Sequence, residues 1–367
     1  MTVTATAPAP APTPGMATSS DINNGHLNRW VPWALLAASI VVLLPVFLML
    51  AAIHGDDLNI AGWLITAAIV YLVLIFTISA IVEGRRKAVD RLITGIVTAA
   101  FVIAMIPLIS VAWTVIEHGV ARFDATFFSS SMRNVVGEGG GVIHAVWGTV
   151  LITFAAAIIS IPIGLMTSIY LVEYGRGRLA RAITFLVDVM TGIPSIVAGL
   201  FAYALFALFF GSGVRMGFMG AIALAVLMIP VVVRSSEEML RLVPNELREA
   251  AYALGVPKWL TIVKIVLPTA IAGITTGVML SISRVIGETA PLLITAGFTD
   301  SLNLNLFEGR MQTLPVFVYS QYANQGIPPE AYWDRAWAAA FTLILIVMLL
   351  NLVARLIAKL FAPKTSR

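Results

Sequence analysis

An all-α, polytopic membrane protein of eight spans is the fold this sequence predicts, and three observations predict it. Of the 367 residues, 59% are hydrophobic and 11% carry charge, less than half the roughly one quarter usual in globular domains. The apolar residues fall in unbroken runs that match or exceed the roughly 20 residues needed to cross a bilayer. The basic residues gather in alternate connections between those runs.

Residues 1–29 alternate Ala, Pro and Thr without an apolar period, which predicts a disordered cytoplasmic tail with local polyproline character. The first run, Val31 to Ile53, is too long for a signal-peptide core and is expected to remain as an anchor. With Ile60 to Val82 it forms a transmembrane hairpin over 30–83. Six further runs follow: Leu92 to Ile116, Val142 to Val172, Ala182 to Phe210, Gly217 to Val233, Thr269 to Gly297 and Ala336 to Val353. The fourth, fifth and seventh runs are long enough to tilt or break. Gly192, Pro194 and Gly199 predict a break or kink in the fifth.

Assigning alternate connections to one side places Arg29, Arg85, Arg86, Lys87, Arg91, Arg176, Arg178, Arg181, Arg234, Arg241, Arg248, Lys258, Lys264, Arg355, Lys359, Lys364 and Arg367 together. The other side receives Arg122, Arg133, Arg215, Arg310 and Arg335. Seventeen against five makes the first side cytoplasmic, with both termini on it and an even number of spans. The net charge of +4 follows from this bias, so nucleic acid is not an expected partner, whereas membrane lipid is. With no cysteine, and with His26, His54, His118 and His144 scattered, neither a metal site nor a nucleophile–base constellation is expected. The chain reads as a transport subunit and not an enzyme. His144 is expected at the membrane interface.

Asp188, Arg284 and Glu288 are the ionisable residues placed inside spans, where an Arg or Asp costs about 2.5 to 3.5 kcal/mol at the centre. On one continuous helix Gly273, Gly277, Ser281, Arg284 and Glu288 share one arc, and Arg284 stands one turn from Glu288. The small residues Gly273 and Gly277 predict close helix packing, so this face looks inward and not at lipid. Two roles are open to the charged pair: a structural ion pair locking helices, or a permanent positive site for an anion beside a carboxylate that accepts a hydrogen bond from a protonated one. Asp188 is either a secondary intramembrane site or an acid that caps or snorkels near the inner surface.

The connection between the sixth and seventh runs reads as two short helices. Asn245 is the expected N-cap, Leu247, Ala250, Ala251 and Leu254 form an apolar face, Gly255 supplies a left-handed stop and Pro257 starts the second helix. Such a face suits docking into another protein's groove. Glu249-Ala250-Ala251, three residues, Gly255, nine residues, Ile265, one residue and Leu267-Pro268 resembles, in full spacing, the EAA loop of ABC importer permeases. The stretches GGGVIHAVWGT, IPIGLMTSIYLVEYG, TGIPSIVAGLFAY, SRVIGETAPLLITAG and LPVFVYSQY resemble the phosphate-specific permeases of that family, in the PstA type. The likeness spans roughly residues 90 to 362.

What the resemblance implies is a type I ABC importer permease core of six helices, residues 84–362, with the coupling loop at 234–268 and a short tail at 363–367. The hairpin at 30–83 is a departure from that core. It also implies a bacterial plasma membrane, or inner membrane, location and transport of inorganic phosphate, with Arg284 and Glu288 on the path. A homologous PstC-type permease, two PstB-type ATPase subunits and an external PstS-type phosphate-binding protein are the implied partners. ATP and Mg would be bound by the partner ATPase, since this chain has no G-x-x-x-x-G-K-[ST] loop of its own and needs no cofactor. The alternatives are a permease of the same class for molybdate, sulfate or another solute, and an ion-driven secondary transporter, although no inverted repeat is evident.

Overall fold

A computed structural model describes residues 26–55 and 57–361. Residues 1–25 of the expected tail and the tail at 363–367 lie outside the described residues. Among the described residues every regular element is helical. The chain divides into two compact units, with the boundary between Val111 and Ala112.

In the first unit α1 (Val31–His54) and α2 (Ile60–Val82) pack side by side, tied by a hydrogen bond of 3.0 Å from Trp63 Nε1 to the Ile40 carbonyl. α3 (Arg85–Gly119) begins in this unit and continues past its boundary. Leu27 N–H and Ser79 Oγ donate to the buried Glu83 carboxylate, and Arg91 grips it at 2.7 and 3.0 Å. Burial opposes the charge on Glu83. The hydrogen bonds from Arg91, Leu27 and Ser79 outweigh it and hold the carboxyl at about 2.

The second unit holds α4 (Ala125–Ser129), α5 (Ile143–Ile169), α6 (Gly177–Thr191), α7 (Ser195–Phe210), α8 (Gly217–Arg241), α9 (Asn245–Ala253), α10 (Lys258–Thr261), α11 (Leu267–Val285), α12 (Ala290–Thr295), α13 (Leu314–Ala323) and α14 (Pro329–Phe361). α8 is its centre, with 67% of its apolar window buried. Its most extensive partner is α5, whose Gly148, Ile152, Ala156, Ser160, Gly164 and Ser168 recur every fourth residue as one buried, mostly small stripe. A Cβ on Gly164 would stand 2.6 Å from Val232 Cγ1, so the two backbones approach at glycine distance. Lipid tails are as apolar as the side chains, so this close van der Waals contact, and not removal from water, holds the pair together.

Among the described residues seven helices are long and apolar enough to cross a membrane, and the bent pair α6–α7 makes an eighth if it counts as one crossing. The expected break in the fifth run is a turn of 110° between Thr191 and Ser195, where Pro194 cannot donate the helical hydrogen bond. α6 lays Ala180, Ile183 and Val187 against Val233 and Ile229 of α8.

The seventh run differs from expectation at both ends. The second short helix of the connection between the sixth and seventh runs is continuous with it, α10 passing through a π-helical turn at Ile262–Val266 into α11. Pro268 has no N–H for the helical ladder, and the wider turn just before it absorbs that loss. At the other end α11 stops at Val285 and α12 resumes at Ala290.

Candidate functional site

The buried stripe of α11 is Ala270, Ile274, Gly277, Ser281 and Val285, turned toward α8. A Cβ on Gly273 would collide with Met239, and one on Gly277 with the Ser235 side chain, so these two glycines lie against α8. Ser281 is fully buried and spends its hydroxyl on the Val278 carbonyl at 2.6 Å. It therefore stays within the packed stripe.

Arg284 is exposed on the surface of the chain, and Glu288 is half-buried three residues beyond the helix end. The expected ion pair one turn apart does not form: among the described residues neither side chain has a salt bridge. The reason is Pro291. A continuous helix would need its N–H to reach the Gly287 carbonyl, and proline has none. The chain breaks at Gly287-Glu288-Thr289, with the Glu288 N–H turned back to the Val285 carbonyl at 3.1 Å. Pro291 then sits in the first turn of α12, where its missing donor is harmless. The fixed charge and the carboxylate thus flank a helix break instead of sharing a helix.

Asp188 is not an isolated intramembrane acid. Its side chain is 59% exposed and pairs with Arg234 of α8, 46 residues away. Arg234 also holds Glu237 at 2.8 Å, and Glu237 holds Arg241 at 2.6 Å. This ladder borders a cleft of about 370 Å³ lined by Leu171, Arg181, Thr184, Phe185 and the ladder's acids.

The helix α9 carries Glu249, Ala250 and Ala251. Glu249 and Ala250 face solvent, as do Leu247 and Leu254, while Ala251 is buried. Asn245 is the first residue of the helix and does not cap it; Pro244 precedes it, and the Asn245 side chain instead accepts from Arg248 at 3.3 Å. The stop is as expected. Gly255 has φ +76°, its N–H bonds the Tyr252 carbonyl at 2.9 Å and the Val256 N–H bonds Ala251 at 3.1 Å, the two bonds of a Schellman motif. Leu267 is half-buried and Pro268 exposed, both in the first turn of α11.

Two residues, His144 near the start of α5 and Arg335 in the first turns of α14, carry more structure than their composition suggests. His144 is buried, not interfacial, with Nε2 3.2 Å from Gln312 Oε1 and its ring edge-on to Phe317. Arg335 is 1% exposed, donating to Gln321 and to the carbonyls of Gly137 and Gly139 at 2.6 to 3.0 Å. Nothing local marks either, since the partners stand 168 and 198 residues away.

Comparison with known proteins agrees with this architecture. Residues 160–367 match the family described as binding-protein-dependent transport system inner membrane component. The phosphate transport system permease protein PstA 1 of Mycobacterium tuberculosis (strain CDC 1551 / Oshkosh) is 49% identical over 266 residues, 72% of this chain and 86% of that protein. PstA of Pasteurella multocida (strain Pm70) is 39% identical over 265 residues, 71% of this chain and 91% of that protein. Among solved structures, an inward-facing methionine ABC transporter, MetNI, aligns with a TM-score of 0.51 at 20% identity, covering 60% of this chain and 96% of that one. The fold is thus that of type I ABC importer permeases. At these identities and coverages the chain belongs to the binding-protein-dependent transport system inner membrane components, in their branch of PstA phosphate transport system permease proteins.

Proposed function

We propose that this chain is one of two membrane-spanning subunits of an ATP-driven inorganic phosphate importer in the bacterial plasma membrane. The observation that carries the reading is Arg284, a permanent charge on an apolar helix, exposed beside a break that leaves Glu288 unpaired among the described residues. Irregular backbone at membrane depth is tolerated only where protein or a water-filled path covers it. A homologous PstC-type permease supplies that cover, and the path runs between the two subunits past Arg284, Glu288 and the packed Ser281. Gly273 and Gly277 hold α11 against α8 behind it.

Arg284 stays charged at every relevant pH and attracts an oxyanion. Glu288 repels a fully ionised anion but accepts a hydrogen bond from the hydroxyl that phosphate keeps near neutrality. Sulfate has no such hydroxyl, so the pair favours phosphate over it. Glu249 to Gly255 form the coupling helix for two PstB-type ATPase subunits, with Leu267 and Pro268 fixing its return to the membrane. Those subunits bind ATP and Mg, an external PstS-type protein delivers phosphate, and both termini are cytoplasmic. Closure of the ATPases moves the coupling helix, and the spans reorient because the two states differ in their contacts with those partners. In domain terms, 84–362 is the permease and 30–83 an added hairpin.

The test is uptake of labelled phosphate at low micromolar supply in cells with and without this chain, in competition with sulfate and molybdate. Phosphate uptake should fall on removal and return on restoration. Unchanged phosphate uptake with loss of another anion would overturn the substrate assignment and keep the importer class.

A further inference from the structure

We infer that Glu173, Arg248 and Lys258 are positioning residues that transmit movement of the coupling helix to the helix pair α5–α8. The inference rests on the transport reading above and deepens it. The chain leaves α5 through a π-helical turn, Tyr170–Tyr174, whose Glu173 side chain is only 5% exposed. Arg248, on α9, directs Nε and Nη2 at one Glu173 oxygen from 3.0 and 2.9 Å, with its own side chain 12% exposed. The same guanidinium donates to the carbonyls of Leu240 and Val243, at 3.0 and 2.6 Å. These lie at the C-terminal end of α8, where helix carbonyls have no intrahelical partner and a cation is favoured. Lys258, opening α10, donates to the Glu173 main-chain carbonyl and sits 4.7 Å from the centre of the Tyr174 ring.

Glu173 thus ties the end of α5 to the coupling helix through its carboxylate and to the start of the α10–α11 rod through its main-chain carbonyl, and Arg248 carries the link on to the end of α8. Without Glu173 the coupling helix would be held only by the Pro244 connection on one side, the Gly255 turn on the other and the bonds from Arg248 to the end of α8. α9 itself buries only Ala251, so its own packing cannot carry a push. From the knot, force has a continuous route: α5 and α8 pack at backbone distance, and Gly220 of α8 meets Leu292 of α12, Ala296 just after it and Ile152 of α5 at 3.0 to 3.4 Å from a Cβ placed there. That contact stands directly after the break at Glu288. A planar, permanently charged fork is needed where three acceptors from two elements converge, which is a task for Arg and not for Lys.

The experiment uses the complex assembled with its ATPase subunits and carrying Gly287→Cys. The natural chain has no cysteine, and Gly287 is exposed with nothing within 4 Å of an added Cβ, so the introduced thiol is a single reporter at the break. Its reaction rate with a water-soluble maleimide is measured with and without ATP and vanadate, alongside ATP hydrolysis and phosphate uptake. Glu173→Gln is expected to assemble and hydrolyse ATP at the parent basal rate, to move at least tenfold less phosphate per ATP, and to lose the ATP-dependent change in thiol reactivity. Glu173→Asp, which keeps the charge, is expected to recover part of both. If Glu173→Gln does not assemble, Lys258→Met, which removes a second strand of the knot, is expected to give the same loss of response. A variant thiol that answers ATP as the parent does, or a parent thiol that does not answer ATP, overturns the proposal. A parent thiol that answers ATP in a complex that moves no phosphate overturns the substrate reading and leaves the knot's role intact.

Discussion

Arg284 and Glu288 are recognisable in the sequence as costly residues in an apolar run, but their relation is not. Helical periodicity pairs them, and a single proline three residues past Glu288 unpairs them by stopping α11 at Val285. Because Arg284 is exposed and outside the packed stripe, replacing it should leave the fold alone. Arg284→Gln is expected to abolish phosphate uptake while the subunits still co-purify; normal high-affinity uptake would remove Arg284 from the path. Glu83 offers a test of the first unit. Its carboxyl, held at about 2 in the fold by Arg91, Leu27 and Ser79 against the opposing effect of burial, ionises nearer 4.5 when unfolded. Its contribution is therefore complete above pH about 4.5, shrinks as the pH falls, and is gone below about 2. Comparing acid unfolding of the parent with that of Glu83→Gln should show a difference at pH 6 that vanishes by pH 2. Asp188 shows why other contacts stayed hidden: its partner Arg234 lies 46 residues on, and no local pattern announces it.

Among the elements, the legible ones had local causes. Run length gave α1, α2 and α8 their starting residues, Pro194 gave the turn before α7, and the Gly255 stop follows from the left-handed conformation only glycine adopts freely. The miss at Asn245 has an equally local origin, because Pro244 holds the extended conformation that an N-cap needs and starts the helix one residue earlier than expected, at Asn245. The continuity of α10 with α11 was not legible, since a proline reads as a boundary until a wider turn accommodates it. Also unread was the every-fourth-residue stripe of α5 from Gly148 to Ser168, although it is visible once α8 is known to lie on it. Gly255→Val is the test of the coupling element. Nothing lies within 4 Å of an added Cβ, so the effect is conformational and not steric. A left-handed β-branched residue costs on the order of 1–2 kcal/mol, enough to unwind the Schellman turn of a nine-residue helix. Phosphate-stimulated ATP hydrolysis should fall in Gly255→Val and be better preserved in Gly255→Asn, whose side chain tolerates the left-handed conformation; equal, undiminished rates in both would count against the turn's role.

For the whole molecule, the apolar runs and the asymmetry of Lys and Arg carry most of the fold, because a bilayer imposes only a few solutions on a chain of this composition. What they do not carry is the long-range polar wiring: the knot at Glu173, the buried Arg335 and the His144–Gln312 contact all join segments more than 70 residues apart in the fold's second unit. Such links satisfy groups that burial would otherwise leave stranded, and their partners are chosen by the packed geometry and not by neighbours in the chain. The ladder Asp188, Arg234, Glu237 and Arg241 spans 46 residues at its one cross-helix link, and its composition has an electrical meaning. Two carboxylates and two guanidiniums sum to zero, so only a displacement that carries α6 and α8 together moves the ladder without moving net charge. The roughly 2.3 kcal/mol that 100 mV exerts on a single elementary charge has nothing to act on there. A joint displacement of the two helices is thereby uncoupled from membrane voltage as far as these four residues are concerned.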